Sequence, residues 1–204
     1  HLLVWHQGPI NCQLTPPHDI SDRVIGSYLP VGSGHEVLLD LMRRSQAILK
    51  DHPINQARIA RGLRPANSIW IWGQGKKPQL NLFSAKYGLK GTVISAVDLV
   101  KGLGICSGMK VVEVPEATGN IHTNFQGKAE ATVAAFQNGS DFVYLHFEAA
   151  DEAGHRGEIE NKVNSIVKID EVLGYILDKL PQIDPEYRIM ILPDHPTPLN
   201  IKTH

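Results

Sequence analysis

The sequence predicts an α/β protein built on a largely parallel, two-sided sheet. Three observations carry that expectation. From about Phe83 onward, short apolar runs alternate with stretches whose apolar residues recur at helical spacing. The run from Phe142 to Phe147 is apolar except for His146, as a strand covered on both faces would be. The 204 residues are 42% hydrophobic and 20% charged, which is enough apolar material for a real core.

In chain order, Leu2 to Trp5 reads as a short strand. Thr15-Pro16-Pro17-His18-Asp19 and Leu29-Pro30-Val31-Gly32 carry turn chemistry. From His35 to Leu49 the residues Val37, Leu38, Leu41, Met42, Ala47, Ile48 and Leu49 lie mostly at helical spacing, and Pro53 should stop that helix. A basic stretch with Arg58, Arg61 and Arg64 follows, then Ser68-Ile69-Trp70-Ile71-Trp72, read as a strand ending in Gly73-Gln74-Gly75. Strands are expected at Thr92 to Ala96, Lys110 to Val114, Phe142 to Phe147 and Arg188 to Leu192. Val97 to Leu103 reads as a helix ending near Gly104. Asn124 to Phe136 is a second, with Phe125, Ala129, Val133 and Phe136 on one face and Asn138-Gly139 as its stop. Ile159, Val163, Ile166, Ile169, Leu173, Ile176 and Leu180 mark a long amphipathic helix. Roughly residues 1–80 form a smaller portion and 81–204 carry the sheet.

Composition removes several function classes. Lys plus Arg is 20 and Asp plus Glu is 21, and no basic run is interleaved with aromatics, so the electrostatic footprint of a nucleic-acid binder is missing. There is no apolar stretch of membrane-spanning length and no basic-then-apolar N-terminal segment of a secretion signal. Cys12 and Cys106 cannot frame a disulfide scaffold and read as idle thiols in a reducing cytoplasm. The chain starts at His1 directly before an apolar run and ends at His204 inside an unusual cluster, and it reads as a fragment of something longer.

Two of the expected strands run into residues that bind metals. Phe142 to Phe147 leads to Glu148-Ala149-Ala150-Asp151-Glu152-Ala153-Gly154-His155. Arg188 to Leu192 leads to Pro193-Asp194-His195, and His204 follows close behind. Carboxylate and imidazole together suit zinc, manganese and related divalent ions. Loops at the carboxyl ends of parallel strands converge, which is where such sheets place their sites. Taken alone, Asp151 reads better as a helix cap and His195 as a satisfied surface histidine. Both motifs after strands, in this order, point to a metal site.

Asp151-Glu152-Ala153-Gly154-His155-Arg156-Gly157, Pro193-Asp194-His195-Pro196-Thr197-Pro198 and Thr203-His204 resemble the archaeal-type cofactor-independent phosphoglycerate mutases of the alkaline phosphatase superfamily. The resemblance extends through Trp70 to Gly75, Lys86 to Lys90, Ala117-Thr118-Gly119 with Thr123-Asn124, and His52-Pro53-Ile54-Asn55 with Arg58. It implies an incomplete alkaline-phosphatase-like sheet with a smaller α+β insertion domain. It also implies interconversion of 2- and 3-phosphoglycerate through a phosphoserine at a two-metal site, with no 2,3-bisphosphoglycerate. One ion (Mn, Mg, Co or Zn) would take Asp151, His155 and His204, and the second Asp194 and His195. The second would also take an Asp and the nucleophilic Ser, both upstream of this sequence in the family; Ser21 does not fill that role. Arg58, His18, Asp19 and Lys101 are candidate substrate contacts, while Arg61 and Arg64 read as a solvated basic face. Glu116 stands where the resemblance leads one to expect Gly. Gly73-Gln74-Gly75-Lys76 lacks the spacing of a nucleotide-binding loop. The alternatives are another phosphatase or phosphotransferase on the same scaffold, or a catalytically inactive fragment.

Overall fold

The computed structural model describes residues 2–202. The chain divides between Lys76 and Lys77 into two compact units, each taken here by itself.

In the first unit, β1 (Cys12–Gln13) pairs antiparallel with β2 (Val31–Gly32), and a 3₁₀ turn at Pro17–Ile20 lies between them. The amphipathic run forms α1 (His35–Lys50), which buries Leu38, Met42 and Ser45. Pro53 does more than end that helix, because it opens α2 (Pro53–Ala60). At the first helical position its missing N–H has no partner to lose, and His52 Nδ1 accepts the Ile54 N–H. Helix α2 stops at Ala60, so Arg58, Arg61 and Arg64 do not share a helical face.

Ser68 to Trp72 is not a strand. Side chains hold this irregular segment in place of a ladder. Asn55 donates to Leu49 O and Ala66 O, both at 2.7 Å, and accepts the Ala66 N–H at 2.9 Å. Ser45 Oγ accepts the Ile69 N–H at 2.9 Å, and Trp70 Nε1 donates to Thr15 O at 2.8 Å. Leu2 to Trp5 is likewise irregular and exposed, because no described strand lies beside it to complete a ladder.

The second unit bears out the α/β expectation. Its elements are α3 (Phe83–Tyr87), β3 (Gly91–Ile94), α4 (Asp98–Cys106), β4 (Lys110–Val112), α5 (Phe125–Gln137), β5 (Phe142–Leu145), α6 (Ala149–Arg156) and α7 (Ile159–Lys179). Among the described residues the sheet is parallel in the order β4-β3-β5, with Ile94 beside Val112 and Leu145. Central β3 buries Thr92, Val93 and Ile94. Gly104 lets α4 lie close on it, since a Cβ there would stand 2.7 Å from Val93 Cγ2. Phe125 and Ala129 of α5, Ala149 of α6, and Val172, Ile176 and Leu180 along α7 and its end form the core.

Two readings change. Among the described residues β5 is at the sheet edge, with Phe142 and Tyr144 exposed in alternation, rather than covered on both faces. Arg188 to Leu192 forms no strand, and Met190 is 84% exposed. Apolar, β-branched residues supply propensity, but a strand also needs a neighbouring edge to pair with, and none of the described strands lies beside this segment.

Glu116 adopts φ of +61°, a left-handed conformation that Gly would take without strain. Its carbonyl accepts the Asn124 N–H at 3.2 Å, which fixes the turn that leads into α5.

Candidate functional site

The site grows from the carboxyl ends of β3 and β5. Ser95 follows β3 and His146 follows β5, and the His146 N–H donates to Ile94 O at 2.9 Å, so the two residues are neighbours. The turn His146-Phe147-Glu148 leads directly into α6. There Asp151 occupies the first turn and His155 sits one turn on, which places both on one face. His155 Nε2 lies 3.4 Å from Asp151 Oδ2. The helix ends at Gly157 in the left-handed conformation.

The second pair comes from irregular chain. The His195 N–H donates to Asp194 Oδ1 at 2.9 Å, and His195 Nε2 stands 3.4 Å from Asp194 Oδ2. Thr197 joins the two motifs. Its hydroxyl donates to Asp151 Oδ1 and lies 3.3 Å from His195 Nδ1. The Thr197 carbonyl accepts from Lys162 Nζ of α7 at 2.8 Å. Gly154 makes this approach possible, because a Cβ there would meet Thr197 O at 2.7 Å and Lys162 Nζ at 2.9 Å.

These bonds anchor the two histidine rings through Nδ1. His155 Nδ1 lies 2.8 Å from Lys202 O, a carbonyl that can only accept, so Nδ1 carries the proton. Thr197 gives its one hydroxyl proton to Asp151 and therefore accepts from His195 Nδ1. Each ring then sets its Nε2 3.4 Å from the Oδ2 of its partner aspartate. That is the arrangement imidazole needs to join a carboxylate on one cation, with the other ring nitrogen anchored by a hydrogen bond. The donor chemistry fits a divalent ion. Among the described residues the His, Asp and Glu come as pairs, and no three converge on one point.

Charge at the site is mostly negative. Burial pushes the Glu148 carboxyl up from its ordinary value, and Asp151, Glu152 and Asp194 add to the shift while His195 opposes it. Burial and the Lys128 cation lower the His146 ring, against the pull of Asp194 and Asp151. Carboxylates gathered in this way favour a bound cation.

Other expected residues lie elsewhere. Lys101 on α4 is held between Asp98 Oδ1 at 3.0 Å and Glu113 Oε1 at 3.1 Å, so two carboxylates already balance its charge. In the first unit, Arg58 Nε donates to Arg64 O at 2.9 Å. The His18 ring meets the Trp72 ring edge-on at 5.3 Å, and His18 Nε2 is 3.9 Å from Asp19 Oδ1. Ser21 is exposed after the 3₁₀ turn. Cys12 and Cys106 are both free thiols. His204 lies outside the described residues.

Sequence reasoning passed over Thr197, Lys162, Ser95, His146 and Lys128. Two left a signal: His146 interrupts the apolar run from Phe142 to Phe147, and Lys128 sits three residues after Phe125 and four before Thr132, in the buried register of α5.

This parallel sheet, with paired Asp and His at its carboxyl end, defines a metal-dependent enzyme scaffold, and the chain belongs to the metalloenzyme superfamily, whose family model matches residues 32–204. The model of the 2,3-bisphosphoglycerate-independent phosphoglycerate mutases matches residues 1–55. A protein of that name from Methanothrix thermoacetophila is 49% identical over 191 residues, which are 93% of this chain and 48% of the relative. One from Geobacter sulfurreducens, named as a probable mutase of this kind, is 49% identical over 100% of this chain and 51% of its own length. The chain thus spans about half the length of the curated relatives it matches. The solved structure of the PH0037 protein from Pyrococcus horikoshii superposes with a TM-score of 0.63 at 31% identity, covering 83% of this chain and 44% of that one.

Proposed function

We propose that the protein carrying this chain interconverts 2-phosphoglycerate and 3-phosphoglycerate without 2,3-bisphosphoglycerate, through a phosphoserine, as a cytoplasmic enzyme of glycolysis and gluconeogenesis. The observation that supports this reading best is Thr197, which ties the Asp151–His155 pair to the Asp194–His195 pair in one site. The relatives' name supplies the substrate.

In this reading Asp151 and His155 hold one divalent ion together with His204, and Asp194 and His195 hold a second. Mn, Mg, Co and Zn all accept such ligands. When bound, the ions supply positive charge to the oxygens of the transferring phosphoryl group. The chain's own residues do the rest of what the described region offers. Asp151 and Asp194 balance the charge of the ions, Thr197 fixes one oxygen of Asp151, and the Nδ1 bonds of His155 and His195 hold their Nε2 atoms in position. The remaining second-ion ligands and the nucleophilic serine would come from the part of the relatives' length that this chain does not span. Arg58, His18, Asp19 and Lys101 remain proposed substrate contacts, with Lys101 having to leave Asp98 and Glu113 to serve.

The test is a coupled assay of the full-length polypeptide with 3-phosphoglycerate and a divalent ion. Formation of 2-phosphoglycerate supports the reading. Release of inorganic phosphate without 2-phosphoglycerate refutes it in favour of a phosphatase on the same scaffold. The 204-residue chain alone should show no turnover with manganese.

A further inference from the structure

The turn that feeds α6 rests on a lysine that the paired ligands do not use. Lys128 projects from α5 and is 1% exposed. Its Nζ donates to His146 O at 3.1 Å and lies 4.7 Å from the centre of the Phe147 ring. The carboxylate whose charge it feels is Glu148. An aliphatic side chain of similar length would fill the same volume without the penalty of a buried cation. What the ammonium adds is a hold on the main chain of the turn and a positive charge beneath a group of carboxylates.

A second restraint crosses the same turn. Ser95 Oγ accepts the Val97 N–H at 3.0 Å and lies 3.1 Å from His146 Nδ1. His146 Nε2 lies 3.3 Å from Glu148 Oε2, a carboxylate oxygen that accepts, so the neutral ring carries its proton on Nε2 and its Nδ1 accepts from the Ser95 hydroxyl. The line Ser95–His146–Glu148 therefore runs across the carboxyl ends of β3 and β5. It stops at a carboxylate whose field partners are Asp151, Glu152 and Asp194.

We propose that Lys128, Ser95 and His146 are positioning residues of the metal centre. Lys128 pins the backbone of His146 and Phe147. The Ser95–His146 line aims Glu148 into the acidic group. Together they set the start of α6, and hence where Asp151 and His155 are presented. The inference rests on the metal-site reading given above, and its test separates the two.

The experiment uses the full-length polypeptide that carries this chain, with Mn²⁺ alone as the probe, in wild type, Lys128→Met, Lys128→Arg, Ser95→Ala and Asp151→Asn. Calorimetry or the paramagnetic signal of free Mn²⁺ gives affinity, circular dichroism confirms folding, and ¹⁵N spectra report the His146 tautomer without metal. Asp151→Asn should abolish high-affinity binding. Lys128→Met should fold and bind Mn²⁺ about tenfold or more weakly, with Lys128→Arg recovering part of the loss because it keeps a donor for His146 O. Wild type should show the Nε2–H tautomer of His146, and Ser95→Ala should shift it. If Lys128→Met binds as wild type does while Asp151→Asn does not, the positioning role is refuted and the metal reading stands. If wild type binds no Mn²⁺, or Asp151→Asn binds normally, the metal reading falls and the inference with it. A His146 tautomer that is Nδ1–H in wild type, or unmoved in Ser95→Ala, overturns the Ser95–His146 line whatever the metal does. Should Lys128→Met fail to fold, the Lys128→Arg affinity and the Ser95→Ala spectrum decide.

Discussion

Gly154→Ala is a sharp test of how the site is held together. Gly to Ala inside a helix ordinarily stabilises by about 1 kcal/mol, because Ala loses less conformational entropy. Here the new Cβ would stand 2.7 Å from the Thr197 carbonyl and 2.9 Å from both Lys162 Nζ and Thr197 Cγ2. Lys162 is the far end of a flexible chain and can move, but the carbonyl is backbone. Pushing Thr197 away costs about 1–3 kcal/mol of overpacking, and weakening its hydrogen bond to Lys162 costs about 1 kcal/mol more. Subtracting the helix gain leaves a net loss of about 1–3 kcal/mol, or roughly 3–10 °C in melting temperature for a chain of this size. The same displacement withdraws the Thr197 hydroxyl from Asp151, so Mn²⁺ affinity should fall by about tenfold or more. Gly174→Ala is the control: it lies within α7 with nothing within 4 Å of the added Cβ. That variant should gain up to about 1 kcal/mol and bind metal normally. Thermal and urea unfolding of the two variants, with a Mn²⁺ titration of each, decides the matter. If Gly154→Ala is as stable as Gly174→Ala and keeps its metal affinity, Thr197 does not approach α6 as described.

Other expectations follow from the same geometry. Burial lowers Lys128 from 10.5 to about 8. Below that value folded and unfolded chains both hold the proton and the burial penalty is fully felt. Between about pH 8 and 10.5 the folded chain releases it first, so stability rises with pH, by about 2–3 kcal/mol across the window from this group. Urea unfolding at pH 7.5 and 10.5 should show that gain in wild type and lose it in Lys128→Met, whose stability at neutral pH should equal or exceed wild type. Glu116→Gly should stabilise by about 0.5–1 kcal/mol by relieving the φ of +61°, read as a higher urea midpoint at unchanged slope; a lower midpoint would show that the turn carries no strain. Saturating Mn²⁺ at about a hundred times its dissociation constant should raise stability by about 2.7 kcal/mol, and Asp151→Asn or Asp194→Asn should cut that gain by more than half.

Much of the fold was legible because the second unit states its periodicity plainly. Leu38 and Met42 on α1, Phe125, Ala129 and Val133 on α5, and Ile176 and Leu180 at the end of α7 fall at helical spacing and are buried as that spacing predicts, whereas Ile159, Val163 and Ile166 of the same α7 stripe are exposed. Thr92, Val93 and Ile94 form a compact β-branched run and become the buried central strand. The misreadings share one cause. Leu2 to Trp5, Ser68 to Trp72 and Arg188 to Leu192 have strand composition, yet a ladder depends on a partner edge that composition does not encode. In the middle case Ser45 and Asn55 satisfy the backbone instead, and small polar residues on a helix face give no warning of that in a sequence. The expected stop at Pro53 was half of the physics, since a residue that cannot continue one helix is well suited to begin the next.

The candidate site was legible for a different reason. Asp151 and His155 stand at i and i+4, and a helix must put them on one face, so the first pair follows from spacing once α6 exists. Asp194 and His195 are adjacent in sequence, where a helix or strand would separate their side chains; only the irregular chain around them lets His195 reach back to Asp194 through both backbone and ring. What joins the pairs could not be read beforehand. Thr197 acts through a hydroxyl and a carbonyl aimed in different directions, one at Asp151 and His195, the other at Lys162. The glycine of Asp-x-x-Gly-His records that contact in the sequence as an absence, the missing Cβ at Gly154. A motif read as two ligands with a spacer is thus three functional positions, because the spacer's glycine is where the second motif docks onto the first.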